Sequence, residues 1–200
     1  YPTWGKDFEE ASDNIPETID MLHICIRYSD KFKEIVLDYV KQYQPMLVNI
    51  CSTVPPGITR SFGPQFVHST TRGLHPNLID GMLMIPKHIG GPMAKQVASY
   101  FAKAGIRCLT HGRADTTELA HILNNAHYGI NLKFADEMNK ICREYGVDYF
   151  EAVMLYGNTN NEGFTALDNP TKVRPILTPP GGTIGGHCVT MCANLIPKEK

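Results

Sequence analysis

The densest chemistry in this sequence lies in Pro180-Gly181-Gly182-Thr183-Ile184-Gly185-Gly186-His187-Cys188. Glycines on both sides let backbone N–H groups approach a ligand closely while a thiol enters the same space. A buried structural cysteine needs no such setting, although plain connectors share the composition. Thiolate is the nucleophilic form of cysteine, and a neighbouring histidine favours it. His187, Cys188 and Cys192 are also three soft donors. A structural zinc takes four, no fourth is near, and no metal site is assigned.

Three further segments carry polar side chains where an apolar run ends: Ser52-Thr53-Val54-Pro55-Pro56-Gly57-Ile58-Thr59, His68-Ser69-Thr70-Thr71-Arg72-Gly73 and Ile85-Pro86-Lys87-His88-Ile89-Gly90-Gly91. In open α/β sheets, ligands gather at the carboxyl ends of strands, so Thr53 stands where a cofactor or substrate would lie. Glu118, His121 and Asn125 are spaced to share one face of a helix. His121, with an ordinary pKa near 6.5, suits proton transfer and serves equally as a polar residue of that face. His23 and His68 read as satisfied strand residues.

The elements that must position these groups follow from apolar periodicity. Met21 to Ile26 and Met46 to Cys51 read as buried strands, with a helix from Asp30 to Tyr43 between them, capped by Ser29 or Asp30 and ended by Pro45. Gln65 to His68 is a weaker strand. Met82 to Ile85 and Ile106 to Leu109 read as two more, separated by a helix over Pro92 to Ala104. This alternation predicts an α/β fold with a mostly parallel sheet. Leu119, Ile122, Leu123, Ala126, Ile130, Phe134, Met138 and Ile141 then predict one helix from Thr116 to Tyr145, or two broken near Gly129. A short helix over Tyr149 to Leu155 follows, and the Gly-, Asn-, Pro- and Thr-rich remainder reads as loops. The division expected is 1–112 for the sheet and 113–200 for the long helix and cysteine loop.

Composition narrows the class. The 200 residues are 42% hydrophobic with a net charge of −1, which suits one compact domain or one with a small appendage. There is no basic block for nucleic acid or a membrane surface, and no apolar run of the ~20 residues that span a bilayer. Cys25, Cys51, Cys108 and Cys142 lie in apolar runs, where reduced, buried thiols are expected. That pattern predicts a cytoplasmic setting.

The order of the motifs resembles the nucleotide-sugar 6-dehydrogenase family, which acts on UDP-glucose, GDP-mannose and related substrates. Residues 52–57 are similar to its S-T-V-P-x-G-T-T turn, and Thr117 to Asn125 to its E-L-x-K-x-x-x-N helix. Phe134-Ala135-Asp136-Glu137 is similar to its F-x-N-E run. Gly185-Gly186-His187-Cys188 is similar to its G-G-x-C loop, most closely in members acting on N-acetylated sugars. The resemblance implies a partial Rossmann-like sheet, and the length and apolar stripe of the helix from Thr116 to Tyr145 predict a homodimer formed through it. The resemblance also implies NAD and a nucleotide-sugar substrate, with double oxidation of the sugar C6 alcohol through a cysteine thiohemiacetal and thioester. It assigns Cys188 as nucleophile, Asn125 as the amide that holds the oxyanion or water, and Thr53 as the turn hydroxyl; His121 joins them as a candidate base on its own chemistry. Ser52, Thr53, Val54, Pro55, Thr71 and Arg72 fall at cofactor-contacting positions, and Gly185, Gly186, His187 and Asn125 at substrate-contacting ones.

The chain departs from the family at three positions: His121 for Lys, Thr71 for Glu (Arg72 matches), and Cys192 for Asp. The G-x-G-x-x-G turn is not in this sequence, whose only glycine before Cys51 is Gly5. These departures predict a fragment or reduced relative that binds NAD weakly. They also keep open a non-catalytic binding or scaffold protein with the same fold.

Overall fold

A computed structural model describes residues 19–73, 76–182, 191–192 and 194–196. The chain divides into two compact units, residues 1–121 and 122–200.

The first unit is built on five strands, β1 (Met21–Ile24), β2 (Leu47–Ile50), β3 (Phe66–His68), β4 (Lys87–Gly90) and β5 (Cys108–His111), adjacent in chain order. Every pair is parallel except β3 with β4, which meet antiparallel at His68 and Gly90. Because side chains alternate along a strand, the sheet has two apolar faces. On one, Ile24, Val48, Ile50 and Phe66 pack with Phe32 and Val36 of helix α1 (Phe32–Tyr43). On the other, Leu47, Val67 and Ile89 pack with Ala94 and Val97 of helix α3 (Ala94–Lys103). Lys31 precedes α1 without a side-chain cap, so neither Ser29 nor Asp30 performs that role.

One expected strand is a helix. Met82 to Ile85 belongs to α2 (Leu78–Met84) and its C-cap. Four apolar residues are too few to separate strand from helix by periodicity. Pro86 forces Ile85 into the extended region (φ −96°, ψ 120°), which ends α2. The strand begins only at Lys87, in a stretch whose polar side chains conceal it.

Helix α4 (Ala114–Glu144) runs unbroken for 31 residues, through Gly129, and is about 46 Å long. It ends at Gly146, whose φ of +67° turns the chain so that Val147 N–H reaches the Cys142 carbonyl at 2.9 Å. Its start docks closely on β4: a Cβ on Gly90 would lie 2.6 Å from both the Arg113 carbonyl oxygen and Thr117 Oγ1.

In the second unit a π-helical stretch, Phe150–Leu155, continues into helix α5 (Tyr156–Ala166), so the loop expected after Tyr156 begins only after Ala166. Thr and Asn usually compete with helix backbone. Here Thr159 and Thr165 donate instead to the carbonyls four residues back, Leu155 and Asn161. Asn161 also holds the returning chain, donating to the Arg174 carbonyl and accepting its N–H. Among the described residues no helix is long and apolar enough to cross a membrane.

Candidate active site

The turn after β2 and the first turns of α4 form one polar constellation within the first unit. Glu118, 1% exposed, accepts the N–H of Gly57 at 2.6 Å and of Thr59 at 2.9 Å. This carboxylate clamps the far end of the Ser52–Gly57 turn to α4. His68, fully buried, holds the near end. Its Nε2 lies 3.3 Å from the Ser52 carbonyl, which can only accept, so Nε2 carries the proton and Nδ1 takes the Thr117 hydroxyl at 2.8 Å. Burial drives the His68 pKa down to about 3, with His121 and Lys87 adding to the fall, and the ring stays neutral.

Held at both ends, the turn presents Thr53, whose Oγ1 lies 2.9 Å from His121 Nε2. Burial lowers the His121 pKa, and the Arg72 guanidinium lowers it further. A neutral imidazole paired with a hydroxyl at a strand's carboxyl end can exchange a proton with a bound alcohol. Arg72 and Thr71 are exposed.

The structure therefore brings together Thr53, His121 and, through its field, Arg72. Ser52 spends its hydroxyl on the Ile24 carbonyl (3.2 Å), and Val54 packs into the α1 face of the core. Asn125 lies on α4 in the second unit. Gly185, Gly186, His187 and Cys188 lie outside the described residues. His23 and His68 are hydrogen-bonded strand residues, as read from the sequence. Among the described residues no cluster of metal-ligating side chains occurs. The sequence reading missed Glu118 as the clamp of the turn, although its place three residues before His121 was a usable signal. Lys87 stands in one of the three polar segments, but its burial, to 6% exposure, was not foreseen.

A dinucleotide's pyrophosphate is held by free backbone N–H groups at a helix N-terminus. Here the Gly57 and Thr59 N–H groups are taken by Glu118, whereas the Thr53 hydroxyl, Thr71 and Arg72 carry donors suited to ribose or phosphate oxygens. These residues fit the flank of a nicotinamide cofactor and not its pyrophosphate cradle.

Comparison with solved structures gives the fold class, a Rossmann-like α/β fold. The chain superposes on a UDP-D-ManNAc dehydrogenase from Pyrococcus horikoshii with a TM-score of 0.69 at 22% identity, over 90% of this chain and 47% of that one. A UDP-glucose dehydrogenase from Pyrobaculum islandicum superposes with a TM-score of 0.53 at 20% identity, over 69% of this chain and 38% of that one. No protein-family model matches.

The homologues identified by sequence are nucleotide-sugar dehydrogenases, as the motifs implied. The UDP-N-acetyl-D-mannosamine dehydrogenase of Methanocaldococcus jannaschii is 27% identical over 203 residues, covering 88% of this chain and 44% of that protein. An NDP-N-acetyl-D-galactosaminuronic acid dehydrogenase of Ralstonia solanacearum is 27% identical over 131 residues, 64% of this chain and 28% of that protein. The chain thus spans less than half the length of these relatives.

Proposed function

We propose that this chain takes part in the NAD-linked oxidation of the C6 alcohol of a nucleotide-linked, N-acetylated sugar. The observation that carries this reading is the Thr53–His121 pair, 2.9 Å apart beside the carboxyl end of β2, on motifs shared in order with sugar dehydrogenases. Neutral His121 accepts the alcohol proton, directly or through Thr53. When bound, NAD would supply the hydride-accepting chemistry, with Thr53, Thr71 and Arg72 along its flank, while Ser52 and Val54, buried beneath the turn, only support it. The Cys188 thiol adds to the aldehyde carbon to give a thiohemiacetal, a second oxidation gives the thioester, and water releases the acid. Asn125 steadies the oxyanion, and Gly185, Gly186 and His187 contact the substrate.

A homodimer belongs to the same proposal. Leu123, Ile130, Phe134 and Ile141 follow one another by seven, four and seven residues along α4 and are 50–64% exposed, an apolar stripe of the kind a second copy would cover.

The test is NADH fluorescence with UDP-N-acetyl-D-mannosamine, alongside calorimetric titration of the sugar nucleotide. Turnover lost in both Cys188→Ala and His121→Ala supports the enzyme reading. Absence of both turnover and binding would reject it. Binding without turnover would favour the non-catalytic reading, which one observation already supports: Cys192, where the family has Asp, is fully buried.

A further inference from the structure

A second chemical cluster lies on the α3 face of the same sheet, and the proposed oxidation does not use it. Cys51 follows Ile50, and its N–H bonds the Ile24 carbonyl at 2.8 Å. This extends the parallel β1–β2 register by one step and places Cys25 opposite Cys51. Strand neighbours lie about 4.8 Å apart, within the Cα separation that a disulfide spans. The two-residue period puts both thiols on the face of His23 and Asn49. Around them, Ser69 Oγ donates to Asn49 Oδ1 at 2.8 Å, and Asn49 Nδ2 donates to Cys51 Sγ at 3.2 Å and to His23 Nδ1 at 3.1 Å. Cys25 is exposed, correcting its expected burial. Lys87, among the same thiols, is buried, and among the described residues no carboxylate pairs with it. Its Nζ reaches the Ser69 and Thr70 carbonyls, at 3.5 and 3.2 Å, and sits 4.8 Å over the Phe101 ring.

We propose that Cys25 and Cys51 form a reactive dithiol, with Cys25 as the attacking and Cys51 as the resolving thiol, that exchanges with low-molecular-weight disulfides. Cys25 thiolate attacks one sulfur of the small disulfide, whose S–S bond breaks and whose other half leaves as a thiolate and is protonated. Cys51 then gives up its proton, for which His23 Nδ1 at 3.9 Å is an acceptor. Its sulfur attacks Cys25 Sγ and expels the second small thiol. Two protein thiols are oxidised to one disulfide, and the small disulfide is reduced to two thiols.

The charges suit this order. The Cys51 hydrogen bond, helped by the Lys87 ammonium, holds Cys25 down to about 7 against the effect of burial. Cys51 is pushed up by that same hydrogen bond and by its burial. A nucleophile with a pKa near ambient pH is the efficient one in exchange. Because Ser52 and Thr53 follow Cys51 directly, a bond at Cys51 would anchor the turn of the candidate active site.

The experiment treats the reduced full chain with oxidised glutathione, quenches with N-ethylmaleimide and maps tryptic peptides. Cleavage at Arg27, Lys41 and Arg60 places Cys25 and Cys51 on separate peptides. A reductant-sensitive link between them, and a Cys25–glutathione adduct trapped in Cys51→Ser, are expected. Lys87→Met should slow Cys25 by about threefold or more. Modification of Cys25 no faster than of Cys108, or a stable glutathione adduct on wild-type Cys25 with no link to Cys51, would overturn the proposal. A linked pair with an unchanged rate in Lys87→Met would overturn the role of Lys87. None of these readouts depends on dehydrogenase activity.

Discussion

Glu118 and Lys87 are both buried in the first unit, at 1% and 6% exposure, and among the described residues neither forms an ion pair. Each is met by backbone instead, but unequally. Glu118 takes two N–H groups at 2.6 and 2.9 Å, short distances for charge-assisted bonds. Lys87 finds two carbonyls at 3.2 and 3.5 Å and an aromatic face. A buried charge that is fully hydrogen-bonded fastens structure, whereas one held loosely keeps field to spare for its neighbours. The anion is therefore architecture, and the cation serves the thiols around it.

The largest effect that could break this contrast is at Glu118. Glu118→Ala leaves the buried Thr59 N–H and the part-buried Gly57 N–H without their acceptor and should cost about 2–4 kcal/mol in urea unfolding. A loss below about 1 kcal/mol would mean that the clamp does not hold the turn.

Next is acid. The His68 pKa of about 3 lies below that of the unfolded chain, near 6.5. Between these values the unfolded chain binds the proton and the native chain does not. The stability contributed by neutral His68 is thus complete above pH 6.5. It falls as pH drops, by up to about 1.4 kcal/mol per pH unit. His68→Gln should flatten the urea midpoint between pH 6.5 and 4, relative to wild type. An unchanged slope would place the histidine in water.

Lys87→Met should behave oppositely to Glu118→Ala, leaving stability unchanged or raised by about 1 kcal/mol, because an unpaired buried ion is replaced by apolar packing. A loss of several kcal/mol would make Lys87 architecture as well. The smallest effect is expected for Thr53→Val. Removing one partly buried hydrogen bond costs about 1 kcal/mol or less, while the rate of any sugar-alcohol oxidation should fall by tenfold or more. Equal losses from Thr53→Val and Thr53→Ser would assign the hydroxyl no part in it.

What could be read from the residues depended on how local the cause was. Helix α4 was legible because its apolar residues recur from Leu119 to Ile141, and β2 because a buried run ends at a proline-rich turn. Thr53 and His121 were each nominated by their own motif. Their contact was not legible, since it spans 68 positions and depends on where α4 docks. The burial of Lys87 was not legible because lysine is rarely buried and because the apolar run Met82 to Ile85 mimics the strand that Lys87 begins. Helix α5 escaped notice because its Gly, Asn and Thr composition favours loops, and the Asn161 bonds that tie it to Arg174 reach thirteen residues along the sequence.

Gly90 sets that docking. Thr117, Glu118 and His121 all ride on the stretch of α4 that lies against it, so the helix acts as a lever with its fulcrum at a position that has no side chain. A single methyl there would move the clamp, the support of His68 and the partner of Thr53 together. The site is tuned as one body, from a residue that touches none of the reacting groups.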